Sequence, residues 1–309
     1  MTKKPSSSVL LIFIDGLGIG PRDPRSNPLA RFQPSVLRLF SDSSDRLPRD
    51  GTLFVTDAVM GVPGIPQSAT GQTALFTGIN ASRMLGRHLQ GFPNQALRQL
   101  IADHSIFKQL KQRGRTVTFA NAYSPAFFDK RPRWISVTTA MCESSHTPLR
   151  GFSELLEGRA LYMDFTNRAL RQNGHPIPLR SPAEAGRLLV DLSQDYELSL
   201  YEYFLTDWVG HRGTLEEAAR LLEELDQFLA AVVEALPLDR VSLIVTSDHG
   251  NIENMSTRRH TSNPVGTMVW GEIASTFPVD RNPVLYDIAP LIRDFLRPTK
   301  NDLEDYLDQ

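Results

Sequence analysis

Short apolar runs alternate along this chain with longer stretches in which apolar residues recur every three or four positions. The runs at 9–14, 198–205 and 241–246 are largely apolar or aromatic, which is typical of strands buried on both faces of a sheet. The stretches at 183–192 and 215–236 have the spacing of helices that cover a sheet. Strands that alternate with helices predict an α/β fold: a doubly wound, mostly parallel sheet sandwiched by helices.

Weaker patterns add elements to this plan. We expect further strands at 53–60, 116–123 and 267–270, a helix that begins at Ser68, and helices at 106–113 and 284–295.

The middle of the chain departs from this alternation. Residues 124–182 are rich in proline, arginine and aromatic residues and contain only short regular pieces. We therefore predict a core formed by residues 1–80 and 183–309, which also includes about 100–123. A small, partly inserted cap is expected at about 81–182, packed over the site.

The composition and charge of the chain limit the classes of partner and metal site that we expect. The net charge is −2 and the isoelectric point is near 6.4, so bulk electrostatics give no reason to expect a nucleic acid or an anionic membrane. The single cysteine, Cys142, excludes an internal disulfide and a cysteine-based zinc site. The run at 9–14 is too short for the core of a signal peptide, and no later run is long enough to span a membrane. We expect a cytoplasmic protein.

Carboxylates and imidazoles follow the predicted strands. Asp15, Asp207 and Asp248 each come at or just after a strand end, and His211, His249 and His260 lie on the same predicted loops. An isolated Asp-His-Gly sequence is also common in turns that bind no metal. Agreement among three loops instead indicates a site for divalent zinc or manganese, since carboxylates suit manganese and imidazoles suit zinc. Six or more ligands are too many for one tetrahedral ion, so two metal ions are expected.

Ser68 is the candidate nucleophile. A hydroxyl at a helix amino terminus faces unpaired N–H groups and the positive end of the helix dipole, which favours an alkoxide or a bound phosphate. The alternative is a simple helix cap, which is the commoner use of serine at this position. Beside two metal ions the nucleophile is favoured, because a serine needs a base or a metal to ionise near neutral pH.

Five motifs in order then point to a family. They are IDGLG at Asp15, PQSATGQTALFTG at Ser68, TDWVGH at Asp207 and His211, TSDHGN at Asp248 and His249, and RHTSNPV at His260. The chain resembles the alkaline phosphatase superfamily over residues 14–265, and within it the branch of cofactor-independent phosphoglycerate mutase and phosphopentomutase.

The resemblance implies an alkaline phosphatase-like fold and a division of the metal ligands. One metal would be held by Asp15, Ser68, Asp248 and His249, and the other by Asp207, His211 and His260. Ser68 would form the covalent phospho-enzyme.

The segment around the nucleophile departs from the mutases. They have Asn before the serine and Gly-His after it, whereas this chain has Gln67 before it and Gly71-Gln72 after it, so Thr70 is a runner-up nucleophile. The stretch between Ser68 and Asp207 is also too short for the large second domain with which the mutases hold glycerate during transfer. Hydrolysis needs only water at the opened phospho-enzyme, whereas retention of a substrate needs an enclosing site.

The sequence therefore predicts a two-metal phosphohydrolase that cleaves a small phosphate monoester through phospho-Ser68. A phosphomutase, a phosphodiesterase or sulfatase of the same superfamily, and a metal-binding module without turnover are the alternatives. We expect a small phosphorylated substrate and no nucleic acid or membrane partner; the oligomeric state is not predicted. Candidate substrate contacts are Arg83, Arg87 and Arg131.

Overall fold

One seven-stranded sheet organises the protein. The computed structural model describes residues 7–44 and 46–297. In these ranges the strands run in the order β2-β3-β7-β6-β1-β5-β4. They are β1 (Ser8–Ile14), β2 (Arg46–Leu47), β3 (Gly51–Thr56), β4 (Val117–Phe119), β5 (Leu198–Tyr203), β6 (Val241–Ser247) and β7 (Val265–Trp270).

The central strands are parallel. β1 pairs in parallel with β5 and β6, and β5 pairs in parallel with β4. β7 runs antiparallel to β6, and β3 antiparallel to β7, so β3 points the same way as the central strands. Only β2 and β7 run in the opposite direction, and the prediction of a mostly parallel sheet is confirmed.

Helices cover both faces of the sheet. They are α1 (Ser68–Thr77), α2 (Ala81–Leu85), α3 (Gln95–His104), α4 (Ile106–Lys111), α5 (Pro125–Asp129), α6 (Val137–Ser144), α7 (Phe152–Leu156), α8 (Arg168–Gln172), α9 (Pro182–Ser193), α10 (Leu205–Arg212), α11 (Leu215–Ala235) and α12 (Ile288–Phe295). Short 3-10 segments lie at Pro28–Arg31, Pro48–Asp50, Glu272–Thr276 and Leu285–Asp287.

The alternation of side chains along β1 produces two cores. Its even-numbered residues from 10 to 14 pack with α9 and α11, and its odd-numbered residues from 9 to 13 pack with α1, α3, α4, α6 and α12. Every residue of β1 is buried, as expected for a strand with a helical layer on each face. The doubly wound α/β class is therefore confirmed.

Several predicted elements differ in their bounds, among them the strand expected at 116–123, which spans only Val117–Phe119. The strand expected at 53–60 ends at Thr56, because the Asp57 carboxylate accepts hydrogen bonds from the Val59 and Met60 N–H groups and turns the chain. The strand expected at 198–205 ends at Tyr203. The closing helix expected at 284–295 begins instead with the 3-10 segment at Leu285–Asp287.

The predicted cap range contains both core and peripheral elements. Within 81–182, helices α3, α4 and α6 and strand β4 contribute buried side chains to the second core. A separate small cluster holds the segment between α6 and α9, with buried residues such as Leu155, Leu170 and Ile177. The division of the chain into core and cap stays a prediction.

Candidate metal centre

The candidate ligands meet at one edge of the sheet. Asp15 directly follows β1, and Asp248 and His249 directly follow the neighbouring β6. Asp207 and His211 follow β5, the neighbour of β1 on its other side. Because these three strands are parallel, their carboxyl ends lie side by side, and that edge is where ligands bind in open α/β sheets.

The segment after β5 corrects one expectation. Asp207 and His211 were expected on a loop, but they lie on helix α10, four residues apart and therefore on the same face. His260 lies on the loop between β6 and β7, as expected.

The first ligand group is buried. The Nε2 atom of His249 lies 3.3 Å from Asp15 Oδ1, 3.5 Å from Asp248 Oδ2 and 2.9 Å from the hydroxyl oxygen of Ser68. Asp248 and His249 are fully buried. Asp15, Asp248 and His249 each offer one ligand atom within 4.8 Å of the others, which is close enough to share an ion.

The second group is less buried. The Nε2 atoms of His211 and His260 lie 3.0 Å apart, and each is 3.3 Å from Asp207 Oδ1. The rings of His249 and His260 stack with centroids 3.8 Å apart. The two groups are therefore neighbours, as a two-metal site requires.

Hydrogen bonds to backbone carbonyls fix the tautomers of the second group. His211 Nδ1–H donates to the Arg258 carbonyl at 2.8 Å, and His260 Nδ1–H donates to the Pro66 carbonyl at 3.1 Å. A neutral imidazole with a proton on Nδ1 has a bare Nε2. Two bare nitrogens 3.0 Å apart repel, and a cation bound by both would relieve this repulsion. Two imidazoles with one carboxylate form a donor set that suits a divalent metal ion.

In the first ligand group, unpaired carboxylate oxygens also indicate a site for a cation. Among the described residues, Asp15 Oδ1 and Asp248 Oδ2 are buried and have no hydrogen-bond partner. Both face His249 Nε2. Buried carboxylate oxygens are normally paired with donors or with metal ions, so the residues present fit a metal ion.

The electrostatics reflect a concentration of negative charge. Burial, followed by the charge of Asp248, raises the pKa of Asp15 to about 7. Burial opposes the charged form of His249, but Asp248 and Asp15 outweigh it and raise its pKa to about 10. A site that makes one carboxylate hard to ionise and one imidazole hard to deprotonate attracts cations.

Ser68 is placed as a nucleophile would be. It is the first residue of α1 and its hydroxyl faces His249. The Thr70 hydroxyl is fully buried, donates to the Gln67 carbonyl and accepts from the Leu89 N–H. The geometry favours Ser68, although both assignments stay predictions. A Cβ atom at Gly71 would lie 2.9 Å from the Asp248 carbonyl oxygen, so the absence of a side chain lets α1 approach the end of β6.

Sequence reasoning missed the residues that hold the ligands. The Glu253 carboxylate is fully buried and accepts from the Gly18 N–H at 3.0 Å and the Asn251 N–H at 2.7 Å. It also accepts from the Thr261 hydroxyl and from the Asn263 amide at 3.0 Å. Glu253 therefore ties three ligand-bearing segments together.

Two amide side chains orient carboxylates. Asn251 Nδ2 donates to Asp207 Oδ1 at 2.6 Å, and Gln72 Nε2 donates to Asp15 Oδ2 at 3.2 Å. The only signal in the sequence was that these residues lie within the motifs of the candidate ligands. Without that signal, asparagine and glutamine at these positions are typical of ordinary turn and helix residues.

The predicted substrate arginines do not line the cavities beside Ser68, and their role stays a prediction. Two cavities, each of about 470 Å³, include Ser68 in their lining, and none of Arg83, Arg87 and Arg131 lines either. Arg131 instead pairs with Glu143. The arginines that do line these cavities are Arg212, Arg258 and Arg259. The adjacency of the last two to His260 was a signal available in the sequence.

Comparisons with known proteins agree with this geometry. Residues 181–300 match the family model of the metalloenzyme superfamily. The chain is 35% identical over 109 residues to a 2,3-bisphosphoglycerate-independent phosphoglycerate mutase of Desulforudis audaxviator, covering 33% of this chain and 21% of that protein. It is 32% identical over 127 residues to the enzyme of the same name from Paracoccus denitrificans, and this alignment covers 38% of this chain and 24% of that protein. The chain thus spans less than a quarter of the length of these two relatives.

Solved structures share the fold. The PH0037 protein of Pyrococcus horikoshii aligns with a TM-score of 0.58 and 16% identity, over 94% of this chain and 96% of that one. A cold-active alkaline phosphatase from Shewanella sp. aligns with a TM-score of 0.52 and 14% identity, over 93% of this chain and 100% of that one.

The match of residues 181–300 to the metalloenzyme superfamily, and a fold shared with an alkaline phosphatase, agree with the resemblance found in the sequence. Within that superfamily the sequence relatives lie in the phosphoglycerate mutase branch. The use of divalent metal is supported by the family match and by the two ligand groups. In the described part of the chain no helix combines the length and apolarity needed to cross a bilayer. The cytoplasmic location and the absence of nucleic-acid partners stay predictions.

Proposed function

We propose that this protein transfers the phosphoryl group of a small phosphate monoester to Ser68, with two divalent metal ions held by the two ligand groups. The observation that carries the proposal is the Ser68 hydroxyl, 2.9 Å from His249 Nε2, at the amino terminus of α1 and beside both groups. Metal ions in such a site lower the pKa of a coordinated hydroxyl and neutralise phosphoryl oxygens.

The residues of the chain supply position and charge. Gln72 and Asn251 orient the carboxylates of Asp15 and Asp207, and the amino-terminal end of α1 favours the alkoxide of Ser68. In the transfer the Ser68 hydroxyl gives up its proton to water, a bond forms between the Ser68 oxygen and phosphorus, the bond from phosphorus to the substrate oxygen breaks, and the departing alkoxide takes a proton from water.

The second half of the reaction defines the enzyme class. The names of the sequence relatives favour return of the phosphoryl group to an alcohol, as in a phosphomutase, over the hydrolysis that the sequence predicted. Ligand groups with three carboxylates and three imidazoles support both manganese and zinc as the metal.

Hydrolysis is the second candidate, because of the segment between Ser68 and Asp207. Helices α3, α4 and α6 and strand β4 contribute to the second main core, α2 belongs to a cluster beside α1, and the residues around α7 and α8 form a small cluster of their own. Such a segment is short for an enclosure that retains an alcohol while the phosphoryl group waits on Ser68.

The test compares wild type with Ser68→Ala. The matched control is Ser153→Ala, which changes an exposed serine on α7. Proteins loaded with Mn²⁺ or Zn²⁺ are given sugar phosphates and glycerate phosphates, and free phosphate, positional isomers and phospho-Ser68 are measured. We expect transfer by wild type and the control, and a loss of about a thousandfold or more in Ser68→Ala.

The products separate the candidates. Isomers without free phosphate indicate a mutase, and free phosphate indicates a hydrolase. Full activity in Ser68→Ala, or no phospho-Ser68 with any metal, contradicts the proposal.

A further inference from the structure

An aromatic cavity opens beside Ser68. Its volume is about 470 Å³, which lies within the range of small-molecule sites, and its lining includes Asp15 and Ser68. One wall is a run of aromatic rings, in which Tyr123 lies 4.3 Å from Phe127 and 6.2 Å from Phe119, measured between ring centroids.

Further aromatic side chains line the cavity from the segment after β5. Phe204 is 39% exposed and Trp208 is 52% exposed, and both belong to the cavity. Large aromatic side chains exposed beside a cavity are typical of a surface that a ligand covers. Of the three arginines near Ser68, only Arg212 lines this cavity, so the cavity is poorly suited to a second anionic group.

One buried carboxyl group lines the cavity. Glu202 is 7% exposed, and its Oε2 accepts from the Thr138 hydroxyl at 2.6 Å. No described residue donates a hydrogen bond to its Oε1. A carboxyl oxygen that has no protein partner, on a group that lines a cavity, is suited to a hydrogen bond with a ligand. Burial raises the pKa of Glu202 to about 7, so near neutral pH the group can both accept and donate.

We propose that this cavity binds the alcohol portion of the substrate, and that this portion carries a planar heteroaromatic ring whose polar edge hydrogen-bonds to Glu202. The ring stacks on the part of the wall formed by Tyr123 and Phe127 while the phosphate reaches Ser68. This inference rests on the proposed function, since it names the substrate class of the same site.

The ligand pair for the test differs only in the ring. Adenosine 5′-monophosphate and ribose 5-phosphate release the same kind of primary alcohol, so a difference in kcat/KM reports on the ring and not on leaving-group reactivity. We expect wild type to favour the nucleotide by about tenfold or more, on the scale of base stacking on an aromatic side chain.

Two neighbouring phenylalanines give a matched pair of variants. Phe127 lines the cavity, whereas Phe128, the next residue on α5, is 52% exposed and does not. Phe127→Ala is expected to raise KM for the nucleotide about tenfold and to lower the preference for the nucleotide over ribose 5-phosphate by a similar factor. Phe128→Ala is expected to behave like wild type. Glu202→Gln keeps the shape of the side chain and is expected to weaken binding of the nucleotide alone.

Binding of free adenosine, measured by calorimetry on the metal-loaded protein, separates this inference from the proposed function. If neither ester is turned over but adenosine binds and Phe127→Ala weakens it, the cavity assignment stands and the proposed reaction fails. If both esters are turned over equally, or if Phe127→Ala and Phe128→Ala have the same effect, the cavity assignment is overturned.

Discussion

Glu253 gives the sharpest test of how the centre is held together. Its buried carboxylate accepts four hydrogen bonds, from the segments that follow Asp15, His249 and His260. If this carboxylate positions the ligands, its loss has to weaken metal binding in addition to destabilising the fold.

The magnitude follows from the donors that would be left unpaired. In Glu253→Ala the N–H groups of Gly18 and Asn251 lose their acceptor, and a buried unpaired donor costs about 1–3 kcal/mol. We therefore expect the free energy of unfolding of the metal-free protein to fall by about 2–6 kcal/mol. Glu253→Gln keeps the size of the side chain, but its amide presents a donor where the site needs an acceptor, so we expect a smaller loss of the same kind.

The effect on metal is separable from the effect on the fold. Removing a residue that orients metal ligands typically weakens metal binding by about 10–100-fold. At a fixed excess of Mn²⁺ this lowers the stabilisation that the metal confers by about 1.4–2.7 kcal/mol. The assay is urea unfolding of wild type and Glu253→Gln, each with Mn²⁺ and with chelator.

Asp226 provides the matched control. It is also a buried carboxylate with four hydrogen bonds, from Ser35 N–H, the Ser35 hydroxyl, Val36 N–H and Leu37 N–H, but it lies on α11 away from the candidate ligands. We expect Asp226→Asn to destabilise the metal-free protein and to leave the increment from Mn²⁺ unchanged. An equal Mn²⁺ increment in wild type and Glu253→Gln would refute the positioning role.

Two further predictions concern Glu202 and Gly71. Burial raises the pKa of Glu202 from 4.5 to about 7, so the folded state holds this proton more tightly, and stability present below pH 4.5 is lost as the pH rises to 7. The Glu202→Gln variant has no such proton. Its free energy of unfolding relative to wild type is therefore expected to rise on the order of 3 kcal/mol between pH 4 and 8. A difference that does not change with pH in urea titrations would contradict this. In Gly71→Ala the new Cβ, 2.9 Å from the Asp248 carbonyl oxygen, is expected to push α1 away and to cost about 1–3 kcal/mol in urea unfolding, whereas unchanged stability would show that α1 has room to move.

The candidate ligands could be predicted from the sequence because their signals are local. Asp15, Asp248 and His249 each adjoin a continuous apolar strand, so the side chain and the element that positions it are neighbours in the chain. The sheet then brings them together without further information, since adjacent parallel strands end at the same edge. Strand directions and the two helical layers followed from the same alternation.

Residues that act through distant partners could not be predicted in this way. Glu253 and Gly18 are 235 positions apart, and nothing local in either segment shows that they meet. The same holds for Glu202, which reads as one polar residue in a strand until β4 and α6 bury it. The three candidate arginines illustrate the opposite case: their charge is a local signal, but charge alone does not indicate which surface a side chain faces.

The loop after β6 couples the two ligand groups. It supplies Asp248 and His249 to the first group, and its Asn251 donates to Asp207 in the second. Glu253 holds the N–H of the same Asn251, so the carboxylate that fixes the loop also fixes the distance between the groups. Because in-line transfer between two metal ions depends on their separation, we expect substitutions in this loop to affect transfer as well as metal binding.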